Sequence, residues 1–167
     1  MVGKRKFPSN LRLIGFDVDG VFTDGRFYLS DQGVESKAFN TQDGYGIRQV
    51  IDAGLVVAVI SGRQSKSVDI RMAELGVTYV IQGCENKVGA LESLIEKLGI
   101  AADQTAYVGD DIPDLPVMRR SGFGIAVANA VAAVKAECDL VTVAPGGAGA
   151  VREVCDFLLA ATRIYRN

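Results

Sequence analysis

The sequence predicts an α/β fold, a mostly parallel sheet with helices on both faces. Three observations carry that expectation. Short apolar runs rich in Val, Ile and Leu alternate with segments whose apolar residues recur every three or four positions. Glycines stand where the helical segments stop, at Gly54, Gly76 and Gly99. Polar residues directly follow three of the apolar runs, at Asp17, Ser61 and Asp110. In parallel sheets ligands gather beyond the C-terminal strand ends, so three such ends agreeing is stronger than any one.

In chain order, residues 1–10 read as an N-terminal tail, with Lys4, Arg5 and Lys6 in solvent and no apolar stretch of signal-peptide type. Leu11, Leu13, Ile14 and Phe16 make a buried strand that breaks into Asp17-Val18-Asp19-Gly20, with Asp24 and Gly25 close behind. Extended segments at 26–30 and 34–40 flank the turn Asp31-Gln32-Gly33 and form a β-hairpin inserted after that strand. Asp43-Gly44 leads into a helix with Ile47, Val50 and Ile51 on one face. The β-branched run at 55–60 ends in Ser61-Gly62-Arg63, followed by a helix at 64–75 and a strand at 77–81. The helix at 86–98 sets Val88, Leu91, Leu94, Ile95 and Leu98 on one side.

A strand at 105–108 then ends in Gly109-Asp110-Asp111. A short helix at 115–120, a strand at 123–127, a helix at 130–137, a short strand at 140–143 and a helix at 149–163 complete the pattern. With no repeat, low-complexity tract or linker, residues 11–167 read as one domain of Rossmann-like, doubly wound type.

Composition narrows the chemistry. The chain has no histidine, which excludes a Ser-His-Asp or Cys-His site and a His-ligated zinc within it. Acid–base work falls to carboxylates, Lys, Tyr or Cys. A net charge of −2 gives no footprint for nucleic acid, and no run approaches the ~18 apolar residues of a membrane span. Three cysteines without zinc spacing suit reduced thiols and a cytoplasmic location.

Side chains alternate along an extended chain, so Asp17 and Asp19 leave the first strand on the same side. Their mutual repulsion has a reason if they hold a hard cation, or if one is a nucleophile and the other a general acid. A plain strand followed by an Asp-Gly turn is the simpler alternative. Asp110, Asp111 and Asp114 crowd three carboxylates into five positions, where helix capping needs only one. An all-oxygen cluster without histidine points to Mg²⁺. The Ser61 hydroxyl, with nearby backbone N–H groups, can hold a phosphate oxygen. Lys87 falls in the first turn of its helix, where a cation is disfavoured unless something anionic faces it; the alternative is a lysine snorkelling from the surface. Of Arg63, Lys66 and Arg71, which cannot share one helical face, Arg63 stands at the strand end and suits a substrate anion.

Asp17-Val18-Asp19-Gly20-Val21 with Thr23-Asp24-Gly25, then Ser61-Gly62-Arg63, Lys87, and Gly109-Asp110-Asp111 with Asp114 resemble the four ordered motifs of the haloacid dehalogenase (HAD) superfamily of phosphotransferases. The match spans about residues 11–157. Asp43-Gly44-Tyr45-Gly46-Ile47 and the segment GGAGAVRE at 146–153 are similar to its branch that hydrolyses the 8-phosphate of an eight-carbon 3-deoxy keto sugar acid, in lipopolysaccharide precursor synthesis.

The resemblance implies a Rossmann-like HAD fold and the following roles. Asp17 attacks phosphorus and becomes an aspartyl phosphate. Asp19 protonates the leaving alkoxide and then activates water. Mg²⁺ is held by the Asp17 carboxylate, the Asp19 carbonyl and Asp110, with Asp111 and Asp114 behind them. Ser61 and Lys87 neutralise the phosphoryl oxygens, and Asp19, Arg63 and Lys87 contact substrate. Gln42 and Ala148 depart from the branch's pattern, in segments expected to approach the substrate.

A phosphoacceptor receiver domain also uses acids, a hydroxyl and a lysine, but in another motif order. The nearer rival is a phosphatase of nine-carbon 2-keto sugar acid 9-phosphates, which carries an acidic residue where this chain has Arg63. Neither the stretch from Gly25 to Asp43 nor that from Ser61 to Lys87 has room for a cap domain. A capless site open to water is expected to be completed by a second subunit, through hairpins carrying Phe27, Tyr28 and Phe39 paired around a symmetric ring. The resemblance implies that this assembly is a homotetramer, with the hairpins and tails at 163–167 bordering the site.

Overall fold

In chain order the strands are β1 (Val2–Gly3), β2 (Leu13–Phe16), β3 (Tyr28–Leu29), β4 (Glu35–Ser36), β5 (Val56–Ile60), β6 (Tyr79–Ile81), β7 (Thr105–Gly109), β8 (Phe123–Ala126) and β9 (Leu140–Val141). The helices are α1 (Thr41–Asp52), α2 (Lys66–Leu75), α3 (Lys87–Leu98), α4 (Leu115–Arg120), α5 (Ala132–Glu137) and α6 (Ala150–Arg163). This computed structural model describes residues 2, 3, 5 and 7–163.

The main sheet has the order β1-β9-β8-β7-β2-β5-β6, every pair parallel except β1 with β9. The order grows from β2 outward through β5 and β6, then returns across it to β7, β8 and β9. Right-handed crossovers therefore set α1 and α2 on one face and α3 and α4 on the other. Packing agrees: α1 contacts α2 and α6, and α3 contacts α4. Covered on both faces, β2 and β8 are buried along their whole length, which is why they read as unbroken apolar runs.

Local chemistry explains the boundaries. Helix α1 starts earlier than Asp43-Gly44 because the Asn40 side chain accepts the Gln42 and Asp43 N–H groups. Helix α3 starts at Lys87 because Asn86 accepts the Gly89 N–H. Gly76 and Gly99 close α2 and α3 in the left-handed conformation.

The described residues among 1–10 differ from a solvated tail. β1 covers the edge of β9, Arg5 pairs with Asp139 at 3.2 Å, and the Phe7 ring packs edge-on against Phe123 and Phe157. An open edge strand and exposed rings were available to be covered, which periodicity in a ten-residue segment cannot announce. Lys4 and Lys6 lie outside the described residues. The hairpin forms as β3 and β4, with Phe27 and Tyr28 exposed, whereas Phe39 packs against the core.

Candidate active site

β7, β2 and β5 are neighbours in register, with Phe16 opposite both Val108 and Val59. The residues that follow these strands, Asp110, Asp17 and Ser61, therefore emerge side by side at one edge of the sheet. Asp17 and Ser61 are buried. Lys87, at the start of α3, reaches the same point and donates to Asp17 at 2.9 Å and to Asp114 at 2.7 Å. It does not snorkel: two carboxylates compensate its position at the helix N-terminus. The second Asp114 oxygen accepts the N–H groups of Asp110 at 3.0 Å and Asp111 at 3.3 Å.

Asp17, Asp110 and Asp114 each present an oxygen, all within 4.8 Å of one another. Burial pushes the Asp17 carboxyl up to about 6, helped by the charge of Asp114 and opposed by Lys87. Burial also raises Asp110 to about 7, with the charges of Asp17, Asp114 and Asp111 adding to it. Burial depresses the Lys87 ammonium, but the two facing carboxylates outweigh it and the net shift is upward. One ammonium among three acids leaves an excess of negative charge that a divalent cation would neutralise. Asp17 and Asp110 have oxygens free to bind one. Asp114 is committed to Lys87 and two amides, and Asp111 is exposed and caps its turn through the Ile112 N–H at 2.7 Å. Capping thus accounts for Asp111 and for one oxygen of Asp114, but not for the Asp114 oxygen that faces Lys87 or for Asp110.

The loop after β2 is wound tightly: the Val18 carbonyl accepts from Val21, Phe22 and Thr23, and the Thr23 hydroxyl accepts the Gly20 and Gly25 N–H groups. Gly20 has φ +85, and a Cβ there would lie 2.0 Å from an Asp110 carboxylate oxygen. Only glycine lets the backbone pass so close to that acid.

The hairpin supplies residues that the linear reading missed. Lys37 pairs with Asp19 and, at 3.3 Å, with Glu35. Arg63 lies 3.7 Å from Asp19, 2.6 Å from Glu35 and 4.3 Å above the Phe27 ring. Burial would raise Glu35, but hydrogen bonds from Arg63 and Lys37 prevail and hold it below its usual value. The signal was the two-residue spacing of Glu35 and Lys37, which puts both on one side of an extended chain. Tyr107 was missed too. Its hydroxyl donates to the Ile60 carbonyl at 3.0 Å, over Gly15, where a Cβ would meet the ring at 2.7 Å.

Asp17, Asp19, Ser61, Arg63, Lys87, Asp110, Asp111 and Asp114 all line one open cleft of about 290 Å³, near the lower end of small-molecule sites. Lys66 is exposed and Arg71 turns to Glu74 at 2.8 Å. Gln42 and Ala148 do not border this cleft, contrary to the expectation for their segments. Asp43 instead accepts the Arg152 N–H at 2.8 Å, joining α1 to α6. The arrangement can hold a phosphoryl group between a carboxylate, a hydroxyl and an ammonium, with a cation alongside.

A family model described as haloacid dehalogenase-like hydrolase matches residues 80–152. The 3-deoxy-D-manno-octulosonate 8-phosphate phosphatase KdsC of Escherichia coli K12 is 51% identical over 153 residues, 92% of this chain and 81% of that protein. The chain belongs to the haloacid dehalogenase-like hydrolases. Within the family, the crystal structure of the same-named phosphatase from Moraxella catarrhalis, in complex with magnesium ion, phosphate ion and KDO, superposes with a TM-score of 0.91. It is 43% identical and the match covers 94% of this chain and 90% of that one. The Yersinia pestis phosphatase gives a TM-score of 0.91 at 45% identity, covering 93% and 84%.

Proposed function

We propose that the chain is a Mg²⁺-dependent phosphomonoesterase that hydrolyses 3-deoxy-D-manno-octulosonate (KDO) 8-phosphate to KDO and inorganic phosphate, in lipopolysaccharide precursor synthesis. The observation that carries the reading is Lys87 bridging Asp17 and Asp114 beside Asp110, at a sheet edge shared with Ser61. The KDO- and phosphate-bound relative supports the choice of substrate.

The residues fit a magnesium ion. Asp17 and Asp110 offer carboxylate oxygens within reach of one another, Gly20, which follows the Asp19 carbonyl, packs against Asp110, and the donors are all oxygen. When bound, the ion supplies positive charge to a phosphoryl oxygen. Asp17 attacks phosphorus in line, forming the Asp17 O–P bond as the P–O bond to the sugar breaks. Asp19 gives its proton to the departing alkoxide, so the sugar leaves as an alcohol. Asp19 then takes a proton from water, whose oxygen attacks phosphorus and releases phosphate and free Asp17. Lys87 and Ser61 hold the phosphoryl oxygens throughout. Asp114 holds Lys87 in place, and Asp111 caps the turn behind Asp110.

Arg63, above Phe27 at the cleft mouth, takes the sugar acid's anionic or polar end. In this reading the protein is one capless domain at 11–167. Its hairpins, exposed at Phe27, Tyr28 and Leu29, pair in a homotetramer that brings a neighbour over each site. Tails at 164–167 lie outside the described residues. Three free cysteines suit the cytoplasm.

Phosphate release measured over eight- and nine-carbon keto sugar acid phosphates, with Mg²⁺ and with chelator, tests the proposal. Repeated turnover with preference for KDO 8-phosphate is expected. Preference for a nine-carbon 9-phosphate would transfer the chain to the rival substrate class, and a single phosphorylation event without turnover would make it a receiver.

A further inference from the structure

The 146–153 segment does not line the cleft, yet it packs on the loop that carries Asp19. A Cβ on Gly146 would lie 1.7 Å from the Gly20 carbonyl oxygen, and one on Gly147 would lie 2.5 Å from the Asp24 nitrogen. The Gly147 N–H donates to the Val21 carbonyl at 3.0 Å. Asn129, in the loop after β8, joins the two sides. Its Oδ1 accepts the Gly146 N–H at 2.6 Å, and its Nδ2 donates to the Gly20 carbonyl at 3.2 Å.

This turn is braced from behind. Glu153 of α6 accepts the Val143 and Ala144 N–H groups at 3.0 and 2.8 Å. Asp43 of α1 holds the first turn of α6 through the Arg152 N–H. On the cleft side, Gly20 lies directly under the Asp110 carboxylate. Gly20 thus joins the Asp19 carbonyl on its N-terminal side to the anchored Gly20 carbonyl on its other side, while its own Cα packs against Asp110.

We propose that Asn129, working with the glycine-only contact at Gly146, is a positioning residue that anchors the Gly20 carbonyl, and through Gly20 fixes the Asp19 carbonyl that precedes it, and so sets the affinity of the metal site. The inference rests on the proposed ligand set of Asp17, Asp110 and the Asp19 carbonyl. Asn129 itself does not border the cleft and touches no reacting atom. Outer-shell partners of metal ligands typically contribute ~10–100-fold to affinity, and the solvent-exposed setting of Asn129 places it at the low end.

Mg²⁺ binding to the full chain, followed by calorimetry without substrate, tests this beside turnover as a function of Mg²⁺ and circular dichroism of the metal-free protein. Asn129→Ala is expected to bind Mg²⁺ about tenfold more weakly while keeping its metal-free fold. At saturating Mg²⁺ its KM for the phosphate ester should stay within about twofold of wild type. Asn129→Asp keeps the acceptor for Gly146 but points an oxygen at the Gly20 carbonyl, so it too should weaken Mg²⁺, despite its added negative charge. Gly146→Ala, which must displace that carbonyl, should weaken it further.

Wild-type Mg²⁺ affinity in Asn129→Ala, or in Asn129→Asp, would overturn the assignment. So would loss of the metal-free fold in Asn129→Ala, which would make the residue a general structural one. Failure of the wild-type chain to bind Mg²⁺ would instead overturn the ligand set on which the inference rests.

Discussion

Replacing Lys87 by Met keeps the length of the side chain and removes the ammonium from between Asp17 and Asp114. All three residues are buried, so neither acid can turn to water for compensation. Removing one partner of a buried ion pair costs about 3–5 kcal/mol. Here the low end applies, about 3 kcal/mol, because Asp17 and Asp110 already sit near 6 and 7 and can take up protons. In a chain of this size that lowers Tm by about 6–12 °C. The penalty belongs to the ionised acids, so it should shrink as pH falls through those raised values and grow at alkaline pH. Turnover should fall about 10²–10³-fold, since a preorganised charge facing the phosphoryl oxygens is lost. Thermal melts of the metal-free variant at about pH 5 and about pH 8 measure the first effect, and phosphate release with saturating Mg²⁺ the second. A Tm within about 2 °C of wild type at both pH values, or turnover within about tenfold, would refute the reasoning.

Asp17→Asn and Asp19→Asn should each abolish turnover, because no histidine can substitute as acid or base; substantial phosphate release by Asp17→Asn, deamidation excluded by mass, would contradict the covalent route. Calorimetry should show Asp110→Ala losing far more Mg²⁺ affinity than Asp111→Ala, whose carboxylate is exposed and bound to its own turn; equal losses would displace the ligand assignment. In the metal-free protein Asp17 and Asp110 are raised above the unfolded carboxylate value near 4, so their contribution to stability is complete below that value and is lost as pH rises through about 6 and 7. Metal-free Tm should therefore fall between about pH 5 and about pH 8, and Mg²⁺ should raise Tm more at the upper end, where protons no longer compete with it. Light scattering during dilution should show a tetramer whose activity falls as it dissociates; a fully active monomer would exclude completion of the site by a neighbour.

Much of this protein is legible in its linear pattern, because its information is local. A strand buried on both faces must be continuously apolar, so 13–16 and 56–60 announce themselves without partners. Glycine is needed wherever a helix closes in the left-handed conformation, so Gly76 and Gly99 mark their own places. Parallel strands open their C-terminal ends on one edge, so Asp17, Ser61 and Asp110 could be brought together before any distance was known. The absence of histidine left the chemistry to those acids.

Other features needed the tertiary structure, because each depends on two segments meeting that are far apart in the chain. Lys37 and Glu35 look like an ordinary hairpin surface until the hairpin folds beside Asp19 and Arg63. Asp114 looks like a helix cap until Lys87, from a different helix, lands on it. Gly15 is one more small residue in a strand until the Tyr107 ring lies across it. The glycines at 146 and 147, expected near substrate, instead press on the backbone of Gly20 and Asp24, where no side chain would fit. Local periodicity reports which face of an element is buried. What that face meets is decided only when the crossovers place strands from distant parts of the chain side by side.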